Sequence, residues 1–143
     1  MSLILDTDHC VAILRGRLDV GVHVGPTAPL FVTAITVSEL VYGAHKSNRS
    51  EHHLAQVDLL LDGVSVLPFD REAAWYCGQL KDTLRRAGAP LSEPDLQIAS
   101  LALCHTLPLA THNQRHFARV PGLSLVDWLA PKTSEVSQTS EVF

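Results

Sequence analysis

The chain has few of the features that mark secreted, membrane-spanning or zinc-binding proteins. Its three cysteines are an odd number, lie far apart and fall in apolar stretches, at Cys10, Cys77 and Cys104. This pattern indicates reduced core thiols rather than disulfides or a zinc site. No apolar run approaches the roughly 20 residues that a membrane-spanning helix requires, and no basic patch with a following apolar segment marks a secretory signal. We therefore expect a cytoplasmic protein without a membrane partner.

The chain also lacks an excess of positive charge. It has 11 Lys and Arg against 15 Asp and Glu, for a net charge of −4, which argues against broad electrostatic binding of nucleic acid. Nucleic acid is not excluded as a substrate, because carboxylates that bind a metal ion present the opposite sign once loaded. The length of 143 residues fits one domain. We expect that domain over residues 1–130 and a disordered tail over residues 131–143, where Ser, Thr, Glu and Gln dominate.

Strand-like and helix-like segments alternate along the chain. The predicted strands are residues 3–5, 30–35, 64–67, 108–111 and 123–126. The predicted helices are residues 9–17, a helix from 36 through 44, and residues 54–61, 70–86 and 92–104, followed by a short turn through His116 and Phe117. This alternation predicts a three-layer α/β/α domain with a central, mainly parallel five-stranded sheet.

Helix capping patterns set the predicted starts of several helices. Thr7 or Asp8 is the expected cap of the first helix. Thr36 and Glu39 have the spacing of a capping box, with the threonine at N-cap and the glutamate in the first turn. On that interpretation Glu39 does no more than accept a hydrogen bond from the Thr36 backbone. Ser92 and Asp95 repeat the pattern at the head of a helix that is apolar nearly all round.

Four oxygen-bearing side chains fall at equivalent places in this predicted sheet. Asp6 follows the first strand, Glu39 follows the second, Asp95 begins the apolar helix and Asn113 follows the fourth strand. Ligands of open α/β sheets bind outside the carboxyl ends of the strands. Two carboxylates at ~4 Å repel by about 4 kcal/mol at an effective dielectric of 20, so a bare cluster is costly against a total stability of about 5–15 kcal/mol. An all-oxygen set favours Mg²⁺ or Mn²⁺ as the counter-charge.

Over residues 3–128 the chain resembles the PIN-domain nucleases, specifically the VapC-type toxins of toxin–antitoxin pairs. The matching motifs are Ile4-Leu5-Asp6-Thr7-Asp8, Ile35-Thr36-Val37-Ser38-Glu39-Leu40-Val41-Tyr42-Gly43, Asp95-Leu96-Gln97-Ile98-Ala99, and Ala110-Thr111-His112-Asn113 followed by Phe117. The resemblance implies a Mg²⁺- or Mn²⁺-dependent endoribonuclease that acts on structured RNA such as tRNA or rRNA. It also implies a homodimer, a cognate antitoxin that inhibits the enzyme, and a tetramer or larger assembly with that antitoxin.

The resemblance also implies roles for individual residues. Asp6, Glu39 and Asp95 correspond to metal-binding catalytic acids, and Thr111 and Asn113 complete the site. Asp8 is a secondary candidate. The fourth position is often aspartate in this family, and an amide brings less charge, so we expect one firmly held metal ion. Basic candidates for contacts with RNA are Arg15, Arg17, Arg85, Arg86, Arg115 and His116.

The expected chemistry is hydrolysis of a phosphodiester bond by a water molecule that the metal activates. Asp6 and Asp95 hold the cation, and Glu39 positions or deprotonates the attacking water. Cleavage then leaves 5′-phosphate and 3′-hydroxyl ends.

Three alternatives remain open on the sequence. Asp6 and Asp8 also resemble the nucleophile motif of haloacid-dehalogenase-type phosphatases, although Cys10 replaces the usual Thr or Val and no convincing downstream Lys follows. A metal-free ribonuclease would use histidines as acid and base, but the eight histidines form no supporting pattern. A PIN protein that binds antitoxin or RNA without turnover would follow from loss of catalysis through Asn113.

Overall fold

The computed structural model describes residues 2–130, so the predicted tail lies outside the described residues. In chain order the elements are β1 (Leu3–Leu5), α1 (Thr7–Leu14), a 3₁₀ turn (Val20–Val22), β2 (Leu30–Thr33), α2 (Ala34–His45), α3 (Ser50–Asp62), β3 (Ser65–Leu67), α4 (Arg71–Arg86), α5 (Glu93–His105), β4 (Leu109–Ala110), α6 (Gln114–Phe117) and β5 (Leu125–Val126). Among residues 2–130, no helix combines the length and apolar character needed to cross a bilayer.

The five strands form one sheet in the order β3-β2-β1-β4-β5, and every pairing is parallel. β1 lies at the centre, and its residues Leu3, Ile4 and Leu5 are at most 1% exposed. A continuous apolar run suits a strand that is covered on both faces. The predicted parallel five-stranded sheet is confirmed.

Alternate residues of β1 pack into two separate cores. Leu3 and Leu5 contribute to the core formed with α1, α2 and α3. Ile4 and Leu109 contribute to the core on the other face, formed with α4 and α5. Since successive strand side chains point to opposite faces, this division gives a helix–sheet–helix sandwich. The predicted three-layer architecture is therefore confirmed.

The start of α1 differs from the prediction. Asp6 is the N-cap, and its Oδ1 accepts a hydrogen bond from the backbone N–H of Thr7 at 2.8 Å. The expectation that Thr7 or Asp8 caps this helix is therefore wrong. The helix also ends at Leu14, three residues before the predicted end at Arg17.

The start of α2 differs in a way that affects the site. β2 ends at Thr33, and the Thr33 Oγ1 accepts the Thr36 N–H at 3.2 Å, so Thr33 is the N-cap. The predicted capping box at Thr36 is therefore wrong, because a threonine three residues earlier makes the same kind of bond. Glu39 is the sixth residue of α2 and lies in its second turn rather than its first.

Most other boundaries follow the sequence pattern. Asp70 caps α4 by accepting the Ala73 N–H at 3.0 Å. Ser92 caps α5 by accepting the Asp95 N–H at 3.4 Å, as predicted. α3 begins at Ser50, four residues before its predicted start. Cys10 and Cys77 are buried and Cys104 is partly buried, all three as free thiols.

Candidate active site

The candidate residues gather where the strand order reverses. β1 pairs with β2 on one side and with β4 on the other. The connection after β1 leads to β2 and the connection after β4 leads to β5, so the two run to opposite sides of this point. In open α/β sheets the crevice at such a point is the usual ligand-binding position. Asp6 leaves the carboxyl end of β1, and Thr111 leaves the carboxyl end of β4. The two side chains meet across the gap, where the Thr111 hydroxyl donates to the Asp6 Oδ2 at 2.7 Å.

Asp6 is the buried carboxylate of this site. The residue is only 7% exposed. Its Oδ1 accepts a hydrogen bond from the backbone N–H of Thr7, and its Oδ2 accepts one from the hydroxyl of Thr111. Burial, and then the charge of Asp8, raise the pKa of Asp6 to about 6, and Asp95 acts in the same direction. A desolvated acid with two acidic neighbours favours a bound cation or a proton.

Asp8 holds the loop that follows β4. Its Oδ2 accepts the backbone N–H of His112 at 2.9 Å and lies 3.3 Å from the donating hydroxyl of Thr111. In the sequence analysis this acid is only a secondary candidate. In the structure it connects the end of β1 to the loop that carries Asn113.

Glu39 reaches the same edge from α2. Its Oε1 accepts a hydrogen bond from the Thr7 hydroxyl at 2.7 Å, and that hydroxyl lies 3.0 Å from the Thr36 Oγ1. The carboxylate is therefore held by the first residue of α1, and not by the backbone of its own helix. Glu39 is also exposed, so its oxygens remain accessible to water.

Asp95 and Asn113 complete the edge. Asp95 is half-buried in the first turn of α5, close enough to Asp6 to influence its pKa. The Asn113 backbone N–H donates to the Thr111 Oγ1 at 3.0 Å, and its amide nitrogen lies 2.7 Å from the Nδ1 of His116. An amide whose nitrogen donates to histidine leaves its Oδ1 available as an oxygen ligand.

The acids share one sheet edge, but they do not form a preassembled three-acid cage. Over residues 2–130, no three His, Cys, Asp or Glu side chains are arranged as a group that could hold a metal ion. Asp6 and Asp8 form one pair, and Glu39 is directed to the Thr7 hydroxyl. The available donors are carboxylate and amide oxygens, the set that Mg²⁺ and Mn²⁺ prefer.

Sequence reasoning missed a second group of polar residues beside the site. His9 is fully buried, with its Nδ1 2.7 Å from the Asp8 Oδ1 and its Nε2 3.1 Å from the backbone nitrogen of Trp128. Asp127 lies 2.9 Å from the Nδ1 of His112 through its Oδ2. No periodicity or motif joins residues 9, 112 and 127, because only the pairing of β1, β4 and β5 brings them together.

The basic candidates are divided among three elements. Arg15 and Arg17 are exposed after the end of α1, and Arg115 and His116 are exposed on α6. Arg85 and Arg86, at the end of α4, both pair with the carboxylate of Asp82, at 2.8 and 3.0 Å.

α4 approaches the head of α5 near these arginines. Lys81 forms an ion pair with Glu93, the first residue of α5. Since Asp95 lies two residues further along α5, the C-terminal half of α4 is close to the candidate site. Arg85 and Arg86 follow within about one and a half turns of Lys81.

Comparison with known proteins agrees with this fold. The sequence matches the PIN domain family over residues 3–123. It is 33% identical over 133 residues to the tRNA(fMet)-specific endonuclease VapC of Salmonella typhimurium, an alignment that covers 90% of this chain and 98% of that protein.

Two solved structures have the same fold. One is VapBC2 from Rickettsia felis bound to a DNA fragment from its promoter, with a TM-score of 0.82 and 28% identity over 90% of this chain and 99% of that one. The other is DNA-bound VapBC from Salmonella typhimurium, with a TM-score of 0.82 and 32% identity over 90% of this chain and 98% of that one. With its five-stranded parallel sheet and its acids at the reversal point, the chain belongs to the PIN domain family and is a VapC-type member of it.

Proposed function

We propose that this protein is the ribonuclease toxin of a toxin–antitoxin pair, a Mg²⁺- or Mn²⁺-dependent endoribonuclease. The observation that carries the proposal is the setting of Asp6, buried at the strand-order reversal with Asp8 and Asp95 close enough to raise its pKa. A bound cation stabilises the ionised form of a buried carboxylate beside other acids. The Salmonella typhimurium relative, named as an endonuclease, supports the reaction class.

Asp6, Asp95 and Glu39 are the residues that would hold the metal ion, with the Asn113 amide oxygen as a fourth donor. When bound, a divalent ion supplies charge stabilisation for the phosphate during in-line attack and favours ionisation of the attacking water. With an amide at the fourth position, these four donors together carry three negative charges, which fits a single firmly held ion.

The remaining steps belong to the side chains of the chain itself. Glu39, exposed and held by the Thr7 hydroxyl, orients the attacking water and takes its proton. The water oxygen bonds to phosphorus while the bond from phosphorus to the 3′ oxygen breaks. That 3′ oxygen takes a proton from solvent water, so the products carry a 5′-phosphate and a 3′-hydroxyl. Thr111 keeps Asp6 in place by donating to its Oδ2.

We propose structured cellular RNA, tRNA or rRNA, as the substrate. The relative named as a tRNA(fMet)-specific endonuclease supports a tRNA target. Exposed basic side chains on two elements near the site, Arg115 and His116 on α6 and Arg85 and Arg86 on α4, are available for the phosphates.

We further propose a cognate antitoxin and a homodimer as the assembly state, with a tetramer or larger complex when the antitoxin is bound. The two similar solved structures are both VapBC assemblies, which supports the antitoxin partner. The site is open to such a partner because Glu39 is exposed and Asp95 and Asn113 are half-buried.

The alternative reactions have less support from the geometry. A phosphatase that uses Asp6 as nucleophile usually has Thr or Val two residues after the second Asp and a downstream Lys, whereas here that position is the buried Cys10 and no convincing Lys follows. A metal-free ribonuclease would need histidines that can reach RNA as acid and base, yet His9 is fully buried. The Nδ1 atoms of His112 and His116 are already hydrogen-bonded, to Asp127 and to the Asn113 amide.

The test is cleavage of total RNA by purified, antitoxin-free protein in Mg²⁺, in Mn²⁺ and in EDTA, with the new ends mapped. We expect cleavage only with a divalent ion, and 5′-phosphate ends. Asp6→Asn and Asp95→Asn should abolish cleavage, whereas Asp58→Asn, at an exposed acid of α3, should not. Undiminished cleavage in EDTA, or 2′,3′-cyclic phosphate ends, would refute the proposal.

A further inference from the structure

His9 connects the candidate site to the last strand of the sheet. It is 0% exposed, in the first turn of α1. The backbone N–H of Trp128, just after β5, donates to the His9 Nε2 at 3.1 Å. A backbone N–H can only donate, so Nε2 must be the accepting nitrogen. The proton of the neutral ring then lies on Nδ1, which donates to the Asp8 Oδ1 at 2.7 Å.

Asp8, held by His9, in turn bonds to the loop after β4. While its Oδ1 is held by His9, its Oδ2 accepts the backbone N–H of His112 at 2.9 Å and approaches the Thr111 hydroxyl at 3.3 Å. Thr111 in turn donates to Asp6 and accepts the Asn113 N–H. A continuous series of hydrogen bonds therefore runs from the end of β5, through His9 and Asp8, to the segment that bears Asn113.

The same loop is fixed from its other side. The His112 ring lies 2.9 Å from Asp127, the residue before Trp128. The backbone N–H of His112 is thus bonded to Asp8, and its ring is bonded to Asp127. Residues that follow β1 and β5 therefore hold the loop from both sides. A buried apolar side chain in place of His9 would fill the space but leave the Trp128 N–H without its acceptor and Asp8 without its donor.

We propose that His9 is a positioning residue of the nuclease site: it orients Asp8 so that residues 111–113 are held against Asp6. The inference rests on the proposed ribonuclease function for its kinetic consequence, but the hydrogen bonds themselves can be tested without RNA. Partners that orient the ligands of a metal site change activity or metal affinity by about 10- to 100-fold when removed.

The first test is the ring ¹⁵N spectrum of His9 in the metal-free wild-type protein. The chemical shifts distinguish a ring protonated on Nδ1 from one protonated on Nε2. We expect the Nδ1–H form. A neutral ring that carries its proton on Nε2 would overturn the proposal, because that nitrogen could not then accept from Trp128 while Nδ1 donated to Asp8.

The second test uses two substitutions of His9, each of which keeps one of the two hydrogen bonds of the ring and removes the other. The His9→Asn amide lies near the position of Nδ1 and can still donate to Asp8. The His9→Gln amide lies near the position of Nε2 and can still accept from Trp128, but it does not donate to Asp8. We expect faster hydrogen exchange at the His112 amide in His9→Gln than in His9→Asn. We also expect kcat to fall by roughly 10- to 100-fold in His9→Gln and by less in His9→Asn, with KM for RNA unchanged in both. His52→Gln, at an exposed histidine of α3, should match the wild type.

A double substitution shows whether the effect passes through Asp8. In an Asp8→Asn background, His9→Gln should cause little further loss of kcat. A loss as large as in the wild-type background would overturn the proposal, as would equal His112 exchange in the two His9 variants. Failure of the proposed function has a different signature: the wild type would not cleave RNA, while the ring tautomer and the exchange difference would still appear.

Discussion

The hydroxyl of Thr7 lies 2.7 Å from Oε1 of Glu39 and donates to it. These residues are 32 positions apart, yet the pairing of β1 with β2 brings the start of α1 beside the second turn of α2. An exposed carboxylate therefore has a defined position at the candidate site. Thr7 also follows Asp6 in the chain. Its backbone N–H donates to Asp6 and its hydroxyl donates to Glu39, so one residue positions two of the acids.

The Thr7–Glu39 contact predicts that removal of the hydroxyl impairs cleavage. Thr7→Val keeps the shape of the side chain but leaves Glu39 without its donor, so kcat should fall. Thr7→Ser keeps the hydroxyl and should retain most of the wild-type rate. The stability cost of Thr7→Val should be small, about 1 kcal/mol, as is usual for a single hydrogen bond. Equal rates in the two variants would contradict the role of this contact.

The position of Glu39 was partly visible in the sequence. The sequence correctly placed it on the helix after the second strand, at the same sheet edge as Asp6. It assigned the wrong bond, because the capping pattern at Thr36 and Glu39 competed with Thr33, whose Oγ1 makes the actual cap. The contact between Thr7 and Glu39 depends on the relative positions of α1 and α2, which follow two neighbouring strands. A local sequence pattern contains no information about that arrangement.

The reassigned cap predicts where α2 is sensitive to substitution. Thr33→Val removes the hydroxyl that accepts the Thr36 N–H and leaves a buried backbone donor without a partner. It should lower the free energy of unfolding by about 1–2 kcal/mol. Thr33→Ser keeps the hydroxyl and should cost less. Chemical denaturation of both variants measures the difference, and an unaltered Thr33→Val protein would show that the helix starts elsewhere.

The electrostatic setting of Asp6 predicts an unusual pH dependence in the metal-free protein. Burial and Asp8 raise the pKa of Asp6 from 3.8 to about 6 in the folded state. The protonated carboxyl of Asp6 therefore contributes its full stabilisation to the fold below the pKa that Asp6 has in the unfolded chain. This contribution is lost as the pH rises through about 6. Asp6→Asn cannot ionise. In EDTA this variant should gain stability relative to the wild type as the pH rises from about 4 to about 7.

The comparison between the two proteins cancels the contribution of every acid that does not interact with Asp6. Thermal or chemical unfolding of wild type and Asp6→Asn across that pH range measures it directly. A stability difference that does not change with pH would mean that Asp6 is not desolvated as the structure indicates.

The two exposed arginines at the end of α4 are predicted to contribute to RNA binding and not to catalysis. Arg85 and Arg86 share Asp82 but remain exposed near the head of α5. Replacing both with glutamine in the Asp6→Asn protein should weaken RNA binding and reduce the salt dependence of its affinity by about 0.7–0.9 per arginine on a logarithmic scale. Arg71→Gln, at the other end of α4, is the matched control. Equal binding by the double variant and the control would remove α4 from the RNA surface.

The fold was more predictable than the site. Short apolar runs, caps such as Ser92 and stop signals specified the strands, the helices and the parallel sheet, because these features are local. The bonds of Asp6 with Thr111, and of Asp8 with His112, join residues more than 100 positions apart. Such contacts depend on strand order. The sequence could therefore place the acids at one edge, but it could not assign their partners or reveal His9.

The central claim is that Asp6 and Asp95, with Glu39, share one divalent ion. Titration of the purified protein with Mn²⁺, followed by electron paramagnetic resonance of the free ion, tests it most directly. We predict one bound ion per chain in the wild type, and markedly weaker binding in Asp6→Asn and in Asp95→Asn but not in Asp58→Asn. Wild-type affinity in both of the first two variants would contradict the account.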